Sequence, residues 1–145
     1  MVTVQQLLDD KGRQVWSVQA DATVFDALGL MAEKDIGALL VLADATPVGV
    51  LSERDYARKI VLVGRLSRDT VVSDIMTRGL LHVGPRQTVH ECMALMTARK
   101  VRHLPVIEDG RVLGLISIGD LVKSIIAEQE FVIGQMANYI SGSRA

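Results

Sequence analysis

Two aspartates close two copies of one short pattern. Asp55 ends Gly49-Val50-Leu51-Ser52-Glu53-Arg54-Asp55, and Asp120 ends Gly114-Leu115-Ile116-Ser117-Ile118-Gly119-Asp120, 65 residues further on. An ionised Asp accepts two charge-assisted hydrogen bonds, which suits the 2′,3′-diol of a ribose. Ser52 and Ser117 stand at the expected starts of helices, where free N–H groups and the helix dipole favour a phosphate. Gly49 and Gly114 would let a strand approach a ligand with no Cβ in the way. The same Ser-x-x-Asp spacing also describes a capping box, in which Ser bonds the third helical N–H and the acid reaches back to the cap. On the pattern alone both readings stand.

The elements that must position these residues repeat as well. Val18, Thr23-Val24, Leu30-Met31, Leu39, Val41 and Asp44 recur at the same offset as Val83, Thr88-Val89, Leu95-Met96, Leu104, Val106 and Asp109. In the first copy Val15–Val18 reads as a strand. Thr23 caps an amphipathic helix carrying Val24, Ala27, Leu28, Met31 and Ala32 and ending near Gly37. Ala38–Leu42 and Val48–Leu51 pair as antiparallel strands, and Ser52 opens a helix running to about Val63. The second copy has a strand at Leu80–Val83, a helix at Thr88–Arg99, a strand pair Leu104–Ile107 and Val112–Ile116 about the turn dipeptide Asp109-Gly110, and a long helix from Gly119 to about Tyr139. Residues 4–9 suggest a short helix before a basic turn at Lys11-Gly12-Arg13, Val71–Met76 a helical stretch, and Ser141-Gly142-Ser143 a frayed tail. The division expected is a first repeat at 8–64, a linker at 65–78 and a second repeat at 79–140 with an extended final helix. The fold class is α/β (α+β): two β-α-β-β-α repeats packed about a pseudo-twofold axis, with a cleft at their interface.

This duplicated frame resembles the CBS (cystathionine-β-synthase) domain, as the tandem pair called a Bateman module. The resemblance covers about residues 8–127 and rests on the two G-h-x-S-x-x-D patterns, on Arg102-His103-Leu104-Pro105-Val106 and on Asp74-Ile75-Met76-Thr77. It implies an adenosine-containing ligand: AMP first, NAD second, with ADP, ATP or S-adenosylmethionine as further members of the class. It assigns ribose to Asp55 and Asp120, and phosphate to Arg102 and His103, which stand where the first copy has Gly37 and Ala38. Gly37, Ala38 and Thr77 complete the expected lining. Lys11 is a further phosphate candidate, and Arg54 and Arg58 serve the first site or a partner chain. The charge differs between the copies, so two sites of different preference are expected. The resemblance further implies a regulatory module, commonly a homodimer, whose ligand shifts the packing of the repeats and so alters the surface offered to an effector protein.

Composition bounds the rest. With 145 residues, 49% hydrophobic but 3% aromatic, the core must be aliphatic and methionine-rich, and a stacking cage for a base has little to build it. The net charge of −1 does not advertise nucleic-acid binding. No apolar run reaches a membrane span and the first residues do not read as a signal peptide, so the expectation is a cytoplasmic protein without membrane partners. Cys92, the single cysteine, excludes an internal disulfide; it shares a helical stripe with Val89, Met93 and Met96 and reads as core. His82, His90 and His103 lack metal-ligand spacing, so no metal is expected. No phosphate-binding glycine loop and no nucleophile–base pair is found, which argues against an enzyme. Trp16 reads as a packing residue, and Met31, Met76, Met93, Met96 and Met136 as mostly core. The apolar excess of the final helix suggests self-association.

Overall fold

Residues 1–142 are described by a computed structural model of the chain. The chain divides into two compact units, Gln14–His82 and a discontinuous one that joins Met1–Arg13 to the chain from Val83 onward.

In the unit Gln14–His82, β1 (Ser17–Gln19) pairs in parallel with β2 (Ala38–Ala43), which runs antiparallel to β3 (Thr46–Ser52). Between β1 and β2 lies α2 (Val24–Lys34), capped by the Thr23 hydroxyl, which accepts from Asp26 N–H. The helix ends not at Gly37 but at Asp35, whose φ of 53° is left-handed; Asp tolerates this region because its short polar side chain bonds locally. Ala38–Val41 are all buried. Leu39 and Val41, on one face of β2, form one aliphatic core with Val24, Ala27, Met31, Leu51, Ile60, Val72, Ile75 and Met76, each fully buried large side chain contributing about 1.5–3 kcal/mol of transfer free energy. The helix expected from Ser52 to Val63 is α3 (Glu53–Tyr56), continued by a single π turn over Ala57–Val61. Instead of a helix at Val71–Met76 there is one 3-10 turn, Val72–Asp74, leading into a strand the periodicity did not mark: β4 (Thr77–Arg78) adds to β3, giving the sheet order β1-β2-β3-β4.

The second unit is built on the hairpin β5 (His103–Glu108) and β6 (Arg111–Ser117), turned by Asp109 and Gly110 with φ of 51° and 75°. Both central residues of that turn are left-handed, the geometry a two-residue hairpin loop prefers. The strand expected at Leu80–Val83 is reduced to one parallel bridge, Val83 to Val106. Thr88 caps α4 (Val89–Arg99) with Glu91 in a complete capping box. The final helix α5 (Ile118–Ser141) has 24 residues. Gly142 closes it in a left-handed conformation, and Ser143 lies outside the described residues.

The first helix, α1 (Val4–Lys11), belongs to this second unit. Its N-terminus is stitched beside α4 by Val4 N–H to Gln87 O (2.8 Å) and Gln5 N–H to Pro85 O (3.0 Å), while Val89 N–H donates to Val2 O at 2.9 Å. Its apolar face buries Val4, Leu7 and Leu8. The segment 65–78, expected as a linker, lies within the unit Gln14–His82.

Candidate functional site

Both motifs sit where a hairpin's last strand turns directly into a helix. In the first unit β3 ends at Ser52 and α3 begins at Glu53; in the second β6 ends at Ser117 and α5 begins at Ile118. The partner strand supplies the same neighbours each time. Ala38 is paired with Ser52 and Gly37 O accepts from Glu53 N–H at 3.0 Å; His103 is paired with Ser117 and Arg102 O accepts from Ile118 N–H at 2.8 Å. So Gly37, Ala38 and Ser52 meet at one helix start, and Arg102, His103 and Ser117 at the other.

The capping box is complete in both units. Asp55 N–H donates to Ser52 Oγ (3.3 Å) and Ser52 N–H to Asp55 Oδ2 (3.0 Å). Asp120 N–H donates to Ser117 Oγ (3.1 Å) and Ser117 N–H to Asp120 Oδ2 (2.8 Å). Each aspartate also holds a lysine. Lys59, one turn beyond Asp55, places its Nζ 3.1 Å from Asp55 Oδ1 and donates to Ile75 O at 2.9 Å. Lys11, at the end of α1, donates to Asp120 Oδ2 at 2.5 Å and to Leu115 O at 2.6 Å. A carboxylate paired with an ammonium that a backbone carbonyl also anchors is common to both units, although the lysines come from unrelated places in the chain.

The two carboxylates differ in what remains to them. Asp55 is 7% exposed. The Thr77 hydroxyl donates to its Oδ1 at 3.1 Å, with the Oδ2 at 3.4 Å, so both oxygens carry donors. Asp120 has a side chain 24% exposed, and its bonds from Lys11 and Ser117 run to Oδ2. Burial alone would raise the Asp120 pKa, but the Lys11 ammonium and the Ser117 N–H and hydroxyl outweigh it and hold the carboxyl below its ordinary 3.8.

The expectation that Gly49 and Gly114 leave room for a ligand is not met. A Cβ on Gly49 would stand 2.6 Å from Thr77 O and 2.9 Å from Met76 Sδ; one on Gly114 would stand 2.6 Å from Leu8 Cδ2. Each glycine admits a segment of its own unit, β4 in one and α1 in the other. Arg54 is half-buried on α3, while Arg58 is exposed on the π turn and Arg102 is exposed before β5. Lys59 is the residue the motif reading passed over, and its signal was present: it stands four residues after Asp55, one helical turn.

Cys92 is fully buried, and desolvation, aided by Glu91, pushes its thiol up to about 11, which suits packing and not nucleophilic attack. Trp16 is partly buried against the first unit's core, with the Lys34 ammonium 4.3 Å from its ring centre. Among the described residues, no group of three or more His, Cys, Asp or Glu could hold a metal ion, and no helix is long and apolar enough to cross a membrane. A hollow of about 350 Å³ lined by Gly84, Arg86, Gln87 and Asp109 lies at the turn end of the β5–β6 hairpin, away from Ser117.

This duplicated strand–turn–helix, with a capped carboxylate in each copy, is that of a known family. The CBS domain matches residues 11–62 and 72–127, and the chain belongs to the CBS domain family, with two copies of the domain. It is 37% identical over 150 residues to the mitochondrial CBS domain-containing protein CBSX3 of Arabidopsis thaliana, covering 97% of this chain and 72% of that one. Among solved structures, a protein with CBS domains from Burkholderia ambifaria MC40-6 is 53% identical, with a TM-score of 0.85 over 88% of this chain and 96% of that one. A hexameric CBS-CP12 protein from bloom-forming cyanobacteria is 28% identical, with a TM-score of 0.76 over 83% of this chain and 66% of that one. CBS domain proteins are generally regulatory modules that bind adenosine ligands, and stand-alone ones are typically not catalytic.

Proposed function

We propose that this chain is an adenine-nucleotide sensor without catalysis of its own, with AMP as the preferred ligand and NAD as the second. The observation that carries the reading is Asp120: a partly exposed carboxylate at the head of α5, held ionised by Lys11 and Ser117, its bonds from the Lys11 ammonium and the Ser117 N–H running to Oδ2. A ribose diol needs an acceptor of that kind. Arg102 and His103 beside Ser117 supply cationic or donor groups for a phosphate, and the helix start adds its dipole. Asp55 offers the same frame in a different state. A diol there displaces the Thr77 hydroxyl or the Lys59 ammonium, and with Gly37 and Ala38 in place of Arg and His the site suits a less charged part of a ligand, such as the nucleoside end of NAD. A reducing cytoplasm suits the buried Cys92 thiol, and an effector protein would read the occupied state.

A second reading, a protein-interaction module whose motifs are helix caps only, draws on the complete capping boxes and on the saturation of Asp55. Calorimetry with AMP, ADP, ATP, NAD and S-adenosylmethionine separates the two. The sensor reading expects AMP to bind, and Asp120→Ala to weaken that binding at least tenfold while costing only the ~1 kcal/mol of a helix cap in stability. No heat and no thermal stabilisation at millimolar nucleotide would leave the interaction module as the better account, since a ligand at a hundred times its Kd stabilises by about 2.7 kcal/mol.

A further inference from the structure

The chain leaving α3 carries apolar side chains into solvent. Val61, Leu62, Val63 and Leu66 are 56–77% exposed. They are not a loose tail. Ile60, just before them, is buried in the first unit's core, and Thr70, just after, is buried with its hydroxyl donating to Leu66 O at 2.9 Å. Between these anchors Leu62 N–H donates to Ala57 O at 3.1 Å and Arg65 N–H to Ile60 O at 3.0 Å. Gly64, with a left-handed φ of 72°, turns the chain back. The result is an ordered apolar tip. Cations surround it. Residues 57–68 hold Arg58, Lys59, Arg65 and Arg68 and no acid, in a chain whose net charge is −1; Asp69 is the first acid beyond. Lys59 is bound to Asp55, whereas Arg58 and Arg65 are exposed and make no ion pair among the described residues. Arg68 lies 4.1 Å from the centre of the exposed Phe25 ring, which widens the patch.

We propose that this tip docks on an anionic lipid surface. Two features select that occupant. The first is shape. Leu62 keeps helical backbone beyond the π turn, and consecutive side chains of a helical turn point roughly 100° apart, so Val61, Leu62 and Val63 fan over about half the circumference. A protein groove takes a single stripe at i, i+3 and i+4, whereas the boundary between headgroups and acyl chains encloses an inserted tip on every side. The second is charge. A guanidinium takes a phosphate or carboxylate through two parallel hydrogen bonds, and Arg58, Arg65 and Arg68 each stand within three residues of an exposed apolar one. A few apolar side chains or a few cations bind a membrane only marginally; the two together hold. Docking on a surface requires no spanning run, so the proposal departs from the expectation of no membrane partner.

Cosedimentation of the full chain with lipid vesicles tests this. The expected result is binding to vesicles of equal parts phosphatidylcholine and phosphatidylserine, little binding to phosphatidylcholine alone, and a decline as salt is raised. Each cation near an anionic surface is worth roughly fivefold, so Arg65→Gln should weaken binding by about that factor and the double variant with Arg58→Gln by roughly 25-fold. Leu62→Ser should weaken it at least about tenfold. Arg111→Gln, in the second unit, loses the same charge and should leave binding unchanged. The thermal transition should persist in all of them, since each replaced side chain is exposed. No binding to the mixed vesicles, or binding indifferent to Leu62→Ser and Arg65→Gln, overturns the proposal. An equal loss in Arg111→Gln also overturns it, by making bulk charge the cause. Binding to soluble polyglutamate in place of the vesicles would assign the tip to an acidic protein segment and overturn it as well.

Discussion

Lys11 and Lys59 reach their carboxylates in two unrelated ways. Lys59 reaches back one turn along its own helix, whereas Lys11 arrives from the other end of the unit's sequence, 109 residues from Asp120. The Asp120 pKa is lowered, so its contribution to stability is present above the ordinary value of 3.8 and is lost as the pH falls through the lower folded value. In Lys11→Met the acid transition should therefore move to higher pH. At neutral pH this partly exposed pair should cost under about 1 kcal/mol. Circular dichroism across pH 2–6 on both proteins checks this, and an unchanged acid midpoint would show that Ser117 alone sets the ionisation. The caps were legible at this scale, because Ser-x-x-Asp and Thr-x-x-Glu are local rules. The lysine at Asp55 was legible too, by its spacing of four. Lys11 was singled out but toward a phosphate; its bond to Asp120 depends on where α1 docks, which no local pattern encodes.

At the scale of elements, the two glycines make the sharper test. Gly49 faces the backbone of β4, while Gly114 faces the end of the Leu8 side chain. Overpacking of this kind typically costs 1–3 kcal/mol, and a rotating methyl yields more readily than a strand carbonyl. Gly49→Ala should therefore lose about 2–3 kcal/mol and Gly114→Ala about 1–2, as read by denaturant unfolding; the reverse order would mean that β4 is looser than α1. The helices α2 and α4 and both hairpins follow from caps, turn residues and alternation in the sequence. The strand β4 could not be foreseen, since two residues carry no periodicity and Thr77–Arg78 is defined only by its bonds to β3. The expected strand at Leu80–Val83 failed for a related reason: an apolar run became a single bridge at Val83 where Ser17–Gln19 forms three pairs.

For the molecule as a whole, the partition of the chain is the feature least visible in the residues. The copies align at a constant offset, which suggests two consecutive blocks, yet the second unit takes its first helix from ahead of the first. Residues 4–9 suggest a short helix, but no local pattern says whose core it completes. A chain beginning at Gln14 should retain the first unit and weaken the second, because Val4, Leu7 and Leu8, at about 1.5–3 kcal/mol each, leave the core. Hydrogen exchange by unit would read this as lost protection in α4 and β5–β6 with β1–β4 unchanged. Equal loss in both would contradict the division.

That interleaving also sets a schedule for biosynthesis. α1 leaves the ribosome ahead of Gln14–His82, but the surfaces that receive it, around Gln87, Gly114 and α4, are translated only after all of that unit. At 5–20 residues per second the wait is roughly 5–20 s. For that time a greasy peptide with Val4, Leu7 and Leu8 outward is a substrate for chaperones and proteases, while the unit behind it can already close. α1 is made before the unit Gln14–His82 and housed after it.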